Sequence, residues 1–115
     1  MRVLICGSRD FFNASEIREV VYSLPPDTTI IHGNAEGADT IAHRHAIERE
    51  MRVEVYPAKW ATHGRAAGPI RNTQMLEEGR PDIVYAFYSR KELSRGTADM
   101  VRQARRAGVK VVENQ

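Results

Sequence analysis

Five short apolar runs are spaced along the chain, with longer polar and amphipathic segments between them. The runs occupy residues 3–6, 28–31, 53–56, 83–87 and 109–112. Each is rich in β-branched residues and bounded by polar or turn-forming residues, which is typical of buried β-strands. The pattern therefore predicts five strands.

The segments between these runs carry apolar residues at helical spacing. Ile17, Val20, Val21 and Leu24 recur at i, i+3, i+4 and i+7, and Pro25 follows them as a helix terminator. The other three predicted helices are marked by Ala38, Ile41, Ala42 and Ala46, by Met75 and Leu76 with Gly79 as a stop, and by Val101, Ala104 and Ala107 with Gly108 as a stop. Strands that alternate with helices predict an α/β fold, in which helices cover both faces of a five-stranded parallel sheet.

Composition and charge indicate a single domain spanning residues 1–115. The chain is 42% hydrophobic and 28% charged, and no apolar run has the length of a membrane span. Polar residues interrupt the apolar start at Ser8, so the sequence predicts no signal peptide and a cytoplasmic location. Cys6, the one cysteine, cannot form an internal disulfide and is expected to be buried. A net charge of +2 does not by itself favour nucleic acid as a partner, although 14 of the 17 basic residues are arginine.

Three polar, glycine-bearing segments mark the predicted binding edge of the sheet. They occupy residues 7–11, 32–39 and 64–72. In an open parallel sheet the carboxyl ends of the strands share one edge, and ligands bind in the crevice outside it. The stretch at residues 57–68 has no clear periodicity, and we expect residues 58–64 to cross this edge as a loop.

Helical spacing places several polar side chains on inward faces. Arg71, Asn72 and Thr97 each precede a core residue by four, so they should face the sheet at the start of a helix. Asp39 stands in a similar relation to the core positions of its own helix. Helix amino ends supply N–H donors and a positive dipole end, which suit a phosphate or a nucleotide.

A purely structural role is the alternative for each of these residues. Asn72 and Thr97 fit helix caps, Asp39 fits an acid that complements a helix dipole, and Ser8 fits a tight turn. Such roles are harder to accept for the whole set, because all of its members fall at one end of the sheet.

Other candidates give weaker signals. His43 and His45 lie two apart on a helix and cannot share a face, so we expect no metal site. The chain has no G-x-G-x-x-G after its first strand and no Walker A lysine, and we expect no cofactor. His32 and His63 fit either a ligand contact or a structural role. Trp60 fits a base-stacking residue, a cover for the core or a subunit contact.

Five segments together carry a family resemblance. They are Gly7-Ser8-Arg9-Asp10-Phe11, His32-Gly33 with Gly37-Ala38-Asp39, Tyr56-Pro57-Ala58 with Trp60, residues 64–72 with Met75-Leu76, and Ala86-Phe87 with Gly96-Thr97. In these segments the chain resembles the YspA-like branch of the SLOG superfamily, and the stretch at residues 65–72 is the most specific part. The resemblance implies a Rossmann-like three-layer sandwich that binds nucleotides or nucleotide-derived ligands at its strand ends. It also implies a homodimer.

The superfamily includes phosphoribohydrolases, DNA-binding DprA proteins and sensors of bacterial defence systems, so the resemblance leaves function open. The phosphoribohydrolases have a glycine-rich run ending in glycine-threonine, with glutamate three positions after the threonine. Here Gly96-Thr97 is present, residues 88–95 replace the glycine-rich run, and Met100 stands at the glutamate position. Asp99 lies about 100° around the helix from Met100, so we expect it to point away from the site.

Three functions follow as hypotheses. The first is a binding module that senses or sequesters a nucleotide, as a phage protein disarming a signalling defence would. The second is a hydrolase of a nucleotide or an NAD-related compound, with Asp10 or Asp39 as acid or nucleophile. The third, single-strand DNA binding, is disfavoured by the mild charge, so nucleic acid and membrane are both unexpected partners. The predicted ligand-binding residues are Gly7, Ser8, Arg9, Asp10, Phe11, His32, Gly33, Asn34, Gly37, Ala38, Asp39, Arg65, Gly68, Arg71, Asn72, Gly96 and Thr97.

Overall fold

A computed structural model describes residues 1–11, 13–89 and 94–114 of the chain. Within them, five strands alternate with helices, as the sequence predicts. The strands are β1 (Arg2–Gly7), β2 (Thr29–His32), β3 (Arg52–Val55), β4 (Ile83–Phe87) and β5 (Lys110–Asn114). The helices are α1 (Ala14–Ser23), α2 (Ala38–Glu48), α3 (Trp60–His63), α4 (Ala67–Gly79) and α5 (Arg95–Arg106), with a 3-10 helix at Gly64–Ala66. Among the helices described, none is long and apolar enough to span a bilayer.

All five strands run parallel in the order β3-β2-β1-β4-β5. The chain begins in the central strand, builds outwards to β3, and then crosses back to add β4 and β5 on the other side. Strand order therefore reverses between β1 and β4. In open α/β sheets a crevice forms at such a switch point, outside the carboxyl ends of the strands.

Alternating side chains of β1 pack on opposite faces of the sheet. Val3 and Ile5 join one core cluster with residues of α1 and α2, whereas Leu4 and Cys6 join a second cluster with residues of α4 and α5. These four side chains are buried, Cys6 as a free thiol. Burial on both faces produces the three-layer Rossmann-like sandwich that the sequence predicts.

Two local predictions were wrong. Residues 58–64, predicted as a loop, contain α3 and the first residue of the 3-10 helix. These turns are too short, and too exposed, to leave an apolar periodicity in the sequence. Gly79 was predicted to lie just beyond its helix but is the last helical residue, and Arg80 takes the left-handed conformation with φ of 46°. Gly108 does follow its helix, with φ of 79°, as predicted.

Two glycines allow the segment after β2 to lie directly against the end of β1. A Cβ atom on Gly7 would lie 2.5 Å from both the Ala38 Cβ and the Phe87 carbonyl oxygen. A Cβ atom on Gly37 would lie 2.3 Å from the Ser8 carbonyl oxygen, and Gly37 also has φ of 83°. Backbone therefore packs against backbone at the switch point, and no side chain fits between.

We expect Gly37→Ala to destabilise the protein more than Gly64→Ala. Gly64 has φ of 56° and nothing within 4 Å of an added Cβ, so its substitution costs only backbone strain, about 1–3 kcal/mol. Gly37→Ala adds a clash with rigid backbone, for about 1–3 kcal/mol more. Urea unfolding of both variants measures the difference. Equal losses of stability would contradict the close approach at Gly37.

Candidate functional site

An open cleft of about 960 Å³ lies at the switch point. It is bounded by the ends of β1 and β2 and by the amino ends of α3, α4 and α5. Most of the residues predicted to bind a ligand line it, namely Gly7, Ser8, Arg9, Asp10, Gly33, Asn34, Asp39, Arg65, Gly68, Arg71, Asn72, Gly96 and Thr97. Asn72 and Thr97 are both buried, as their helical spacing predicts, but only Thr97 lies in the first turn of its helix, because α4 begins at Ala67 and Asn72 lies in its second turn.

Four of the predicted residues lie behind the cleft wall and not on its surface. Phe11 packs on Phe87, with ring centroids 5.4 Å apart. Gly37 and Ala38 lie under the turn after β1, where they make the close backbone contacts described above. His32, the fourth, is buried at the end of β2.

His32 holds the loop that follows β2. Its Nδ1 atom accepts a hydrogen bond from the Asn34 N–H at 2.9 Å, so the neutral ring donates from Nε2 to Nδ1 of His43, also at 2.9 Å. Burial, then the neighbouring His43 and Arg71, lower the pKa of His32 to about 4. The ring is therefore neutral at physiological pH and occupied by protein partners. His63, the other histidine considered as a ligand contact, is exposed on α3 and does not line the cleft.

Asp39 holds the same loop from the first turn of α2. Its Oδ2 atom accepts the N–H groups of Gly33 at 2.8 Å and Ala35 at 3.3 Å. Burial raises the pKa of this carboxyl group to about 6, although the two amides and the nearby Arg71 act in the opposite direction. The hydrogen bonds make Asp39 a support for the cleft wall.

Arg71 closes the far side of this loop. Its Nη1 atom donates to the Gly33 carbonyl at 2.6 Å and to the Tyr56 carbonyl at 3.4 Å, and its Nε donates to Asn72 Oδ1 at 3.1 Å. The remaining nitrogen, Nη2, has no acceptor among the residues that the structure describes. A half-buried guanidinium that lines the cleft thus keeps two N–H donors for an anion.

Asp99 also lines the cleft, which corrects the expectation that it points away. Its Oδ2 atom accepts from Asn72 Nδ2 at 3.0 Å and from Gln103 Nε2 at 2.8 Å. The expected rotation from the buried Met100 is correct, but that direction faces α4 and not solvent. The spacing of Asp99 and Gln103, four apart on one helix, is the only sequence signal for this arrangement.

Sequence reasoning also missed several other residues of the cleft wall. These are Cys6, Ala35, Glu36, Pro57, Ala58, Pro69, Met75, Ser94 and Arg95. Most are small or apolar and carry no chemical signature. Several of them nevertheless fall in segments that the sequence analysis singled out, either for the binding edge or for the family resemblance, namely Ala35, Glu36, Pro57, Ala58, Pro69 and Met75.

The amino end of α5 offers a position for an anion. Like any helix, α5 begins with N–H groups that have no acceptor within the helix. Among the residues that the structure describes, none comes within 4 Å of an added Cβ on Gly96. Ser8 and Ser94 lie beside this turn and are hydrogen-bonded to each other through their hydroxyl groups. Residues 90–93, in the segment that replaces the glycine-rich run, lie outside the described residues.

The rim of the cleft is charged but offers no evident metal site. Arg9, Arg65 and Arg95 are exposed around the opening, with Asp10 and Glu36 nearby. Asp10 accepts a hydrogen bond from the Ser89 hydroxyl. Across the described ranges, no group of three or more His, Cys, Asp or Glu side chains is placed to hold a metal ion.

The fold and the cleft define a Rossmann-like α/β protein with a candidate binding site at its topological switch point. Residues 1–63 match the YspA, cpYpsA-related SLOG family. Gene 61 protein of Mycobacterium phage D29 is 33% identical over 120 residues, an alignment that covers 96% of this chain and 94% of that protein. The chain therefore belongs to the YspA, cpYpsA-related SLOG family, which confirms the resemblance seen in the sequence.

A solved structure has the same fold. DNA processing protein A (DprA) from Streptococcus pneumoniae matches with a TM-score of 0.58 and 17% sequence identity, over 96% of this chain. The chain spans only 58% of the DprA chain, and at this identity the match establishes the fold alone. The sequence analysis predicted that nucleic acid is not a partner, and the match to a DNA processing protein does not support that prediction.

We expect Asp39→Asn to create a pH dependence of stability that the parent chain lacks. Folding lowers the pKa of His32 from 6.5 to about 4. Between these two values the unfolded state holds a proton that the native state has lost, so the free energy of unfolding rises with pH. Folding raises the pKa of Asp39 from 3.8 to about 6. Between these two values the native state holds a proton that the unfolded state has lost, so the free energy of unfolding falls as pH rises. Between about pH 5 and 6 the two effects oppose each other.

Removal of the Asp39 carboxyl leaves the His32 effect alone. The free energy of unfolding of Asp39→Asn should then rise by up to about 1.4 kcal/mol for each pH unit in this range. Urea unfolding at a series of pH values measures the slope, and the exposed Asp27→Asn should keep the parent profile. A common slope for Asp39→Asn and the parent would refute the assignment.

Proposed function

We propose that the cleft binds a nucleotide or a nucleotide-derived ligand, and that the protein acts by sensing or sequestering it. The observation that carries the proposal is the convergence of two anion-binding features on one open space. These are the first turn of α5, where no described residue crowds Gly96, and the two Nη2 donors of Arg71 that are not used by described residues. Membership of a SLOG family supports a nucleotide-related role.

The phosphate is assigned to the α5 side of the cleft. There the first turn of α5, Thr97 and Ser8 line the cleft beside Gly96. Arg71 lines the same cleft and offers its two Nη2 donors to the anionic part of the ligand, while Asp39 acts indirectly by holding Gly33 and Ala35 in place.

Binding without turnover is favoured over hydrolysis by the engagement of the cleft carboxylates. Asp39 accepts two backbone N–H groups, and Asp99 accepts from Asn72, Gln103 and Arg102. Asp10 is hydrogen-bonded to Ser89 at the exposed rim. An acid or nucleophile for an N-glycosidic bond must reach the sugar, and the hydrogen bonds at Oδ2 of Asp39 and of Asp99 orient these two carboxylates towards protein groups.

A homodimer, expected from the family resemblance, remains part of the proposal. The cleft as described is built from one chain, so binding does not require the second subunit.

A second candidate function is binding of single-stranded DNA across the same opening. It is favoured by the exposed Arg9, Arg65 and Arg95 at the rim and by a fold shared with a DNA processing protein. In this reading the arginines contact successive phosphates, and the cleft receives one nucleotide of the strand.

The first test is depletion of nucleotides by excess protein, read by liquid chromatography with mass detection. A panel of AMP, ADP, NAD, ADP-ribose and cyclic ADP-ribose is mixed with the parent chain and with Gly96→Ala. We expect the parent to remove at least one compound and to return it intact after heat denaturation. Gly96→Ala places a methyl group where the anion binds, and should weaken binding by about 1–3 kcal/mol.

Stability separates this effect from misfolding. Gly96 has no positive φ and no close neighbour, so Gly96→Ala should leave stability unchanged or raise it by up to about 1 kcal/mol. Arg106→Ala, at the far end of the same helix, should bind as the parent does. Appearance of a reaction product would make the protein an enzyme, and no depletion of any compound would sink the proposed function for this panel.

The DNA-binding function makes its own prediction. A fluorescent oligothymidylate should bind with an affinity that falls steeply with salt, with a log–log slope of about −0.7 per phosphate contacted. Arg65→Ala combined with Arg95→Ala should reduce that slope, and Arg106→Ala should not. Anisotropy titrations at several salt concentrations measure both. Weak binding with a flat salt dependence would exclude this function.

A further inference from the structure

Trp60 is a large apolar side chain that the fold leaves in solvent. It is the first residue of α3 and is 49% exposed, so it does not serve to cover the core. It lines the cleft beside Ala58, Pro57 and Gly68. These three neighbours are small or flat and uncharged, whereas the α5 side of the cleft presents Ser94, Thr97 and Asp99.

The ring is held loosely where it lies. A Cβ on Gly68 would be 3.6 Å from Trp60 Cη2, which is an ordinary van der Waals distance, so Gly68 passes under the edge of the ring without crowding it. The Arg9 guanidinium carbon lies 5.9 Å from the ring centroid, near the outer limit of a cation–π contact. Both Trp60 and Arg9 are exposed, so a planar ligand can displace Arg9 from the ring at little cost.

The position of this pair suits the aromatic part of a ligand. Trp60 follows β3 and Arg9 follows β1, so the two side chains meet across the end of β2, which lies between those strands. The polar α5 side lies beyond β1, in the direction of β4. A ligand with an anionic end and a flat apolar end would match the cleft in one orientation.

We propose that Trp60 is the stacking platform for the nucleobase of the ligand, with Arg9 flanking the bound base. This inference rests on the proposed function and adds to it that the ligand must carry an aromatic base. The phosphate binds without Trp60, so a base-free sugar phosphate should still enter the cleft. Trp60 is thereby a residue that determines specificity for nucleotides over simple phosphorylated sugars.

The chain's single tryptophan makes the test direct. AMP, ADP-ribose and ribose 5-phosphate are titrated into the parent chain, with tryptophan emission and calorimetric affinity as the two readouts. We expect the nucleotides to change the emission and ribose 5-phosphate to leave it unchanged. Trp60→Ala should weaken nucleotide binding by about 5-fold or more, as expected for the loss of one base-stacking contact, and Trp60→Phe should weaken it much less.

Two comparisons make the outcome decisive. Trp60→Ala should not affect ribose 5-phosphate, and Ile70→Ala, which removes another exposed apolar side chain outside the cleft, should affect neither ligand class. Equal binding of nucleotides and ribose 5-phosphate, unchanged in Trp60→Ala, would overturn the stacking role and leave the binding function intact. If none of the three compounds binds the parent chain, the proposed function fails and the stacking role fails with it.

Discussion

The close contact of two backbone turns at the switch point is the constraint on which the cleft depends. Gly37 lies against the Ser8 carbonyl, and Gly7 lies against Phe87 and Ala38, with no room for a side chain at either glycine. The contact fixes where α2 begins, and therefore where Asp39 can reach back to the amides of Gly33 and Ala35. The loop after β2, which forms one wall of the cleft, can therefore take this position only because residues 7 and 37 are glycines.

That wall is stabilised by buried ionisable groups instead of by apolar packing. In the loop after β2, His32 and Asp39 accept the N–H groups of residues 33–35, and Arg71 donates to the carbonyl of residue 33. Buried polar groups of this kind are costly unless each has a partner, so their presence fixes the loop in one conformation. The loop can then present backbone to a ligand with little loss of entropy on binding.

The fold could be predicted from the sequence because its signals are local. Apolar runs and helical spacing set the alternation of strands and helices, and parallel pairing follows from the length of the crossovers. The short helices at Trp60 and Gly64 left no signal, since they bury no apolar stripe. The location of the cleft could also be predicted, because the segments that follow the strands of a parallel sheet all lie at one edge of the sheet.

The roles of individual site residues depended on contacts between distant parts of the chain. His32 looked like a ligand contact until its bonds to Asn34 and His43 accounted for both ring nitrogens. Asp99 was expected to point away from the site, but it accepts a hydrogen bond from Asn72 on the neighbouring helix α4. No spacing rule within one helix can reveal the direction of a neighbouring helix, so these assignments required the structure.

The central claim is that this cleft binds a nucleotide through the first turn of α5 and Arg71. An amide chemical-shift titration with AMP tests it most directly. The largest changes are expected at the N–H groups of Gly96 and Thr97, and smaller ones at Gly33 and Ala35, whose N–H groups donate to Asp39. Residues 25–28 and 107–109, which do not line the cleft, should be unaffected. Saturable changes confined to those distant segments, or no change at millimolar AMP, would contradict it.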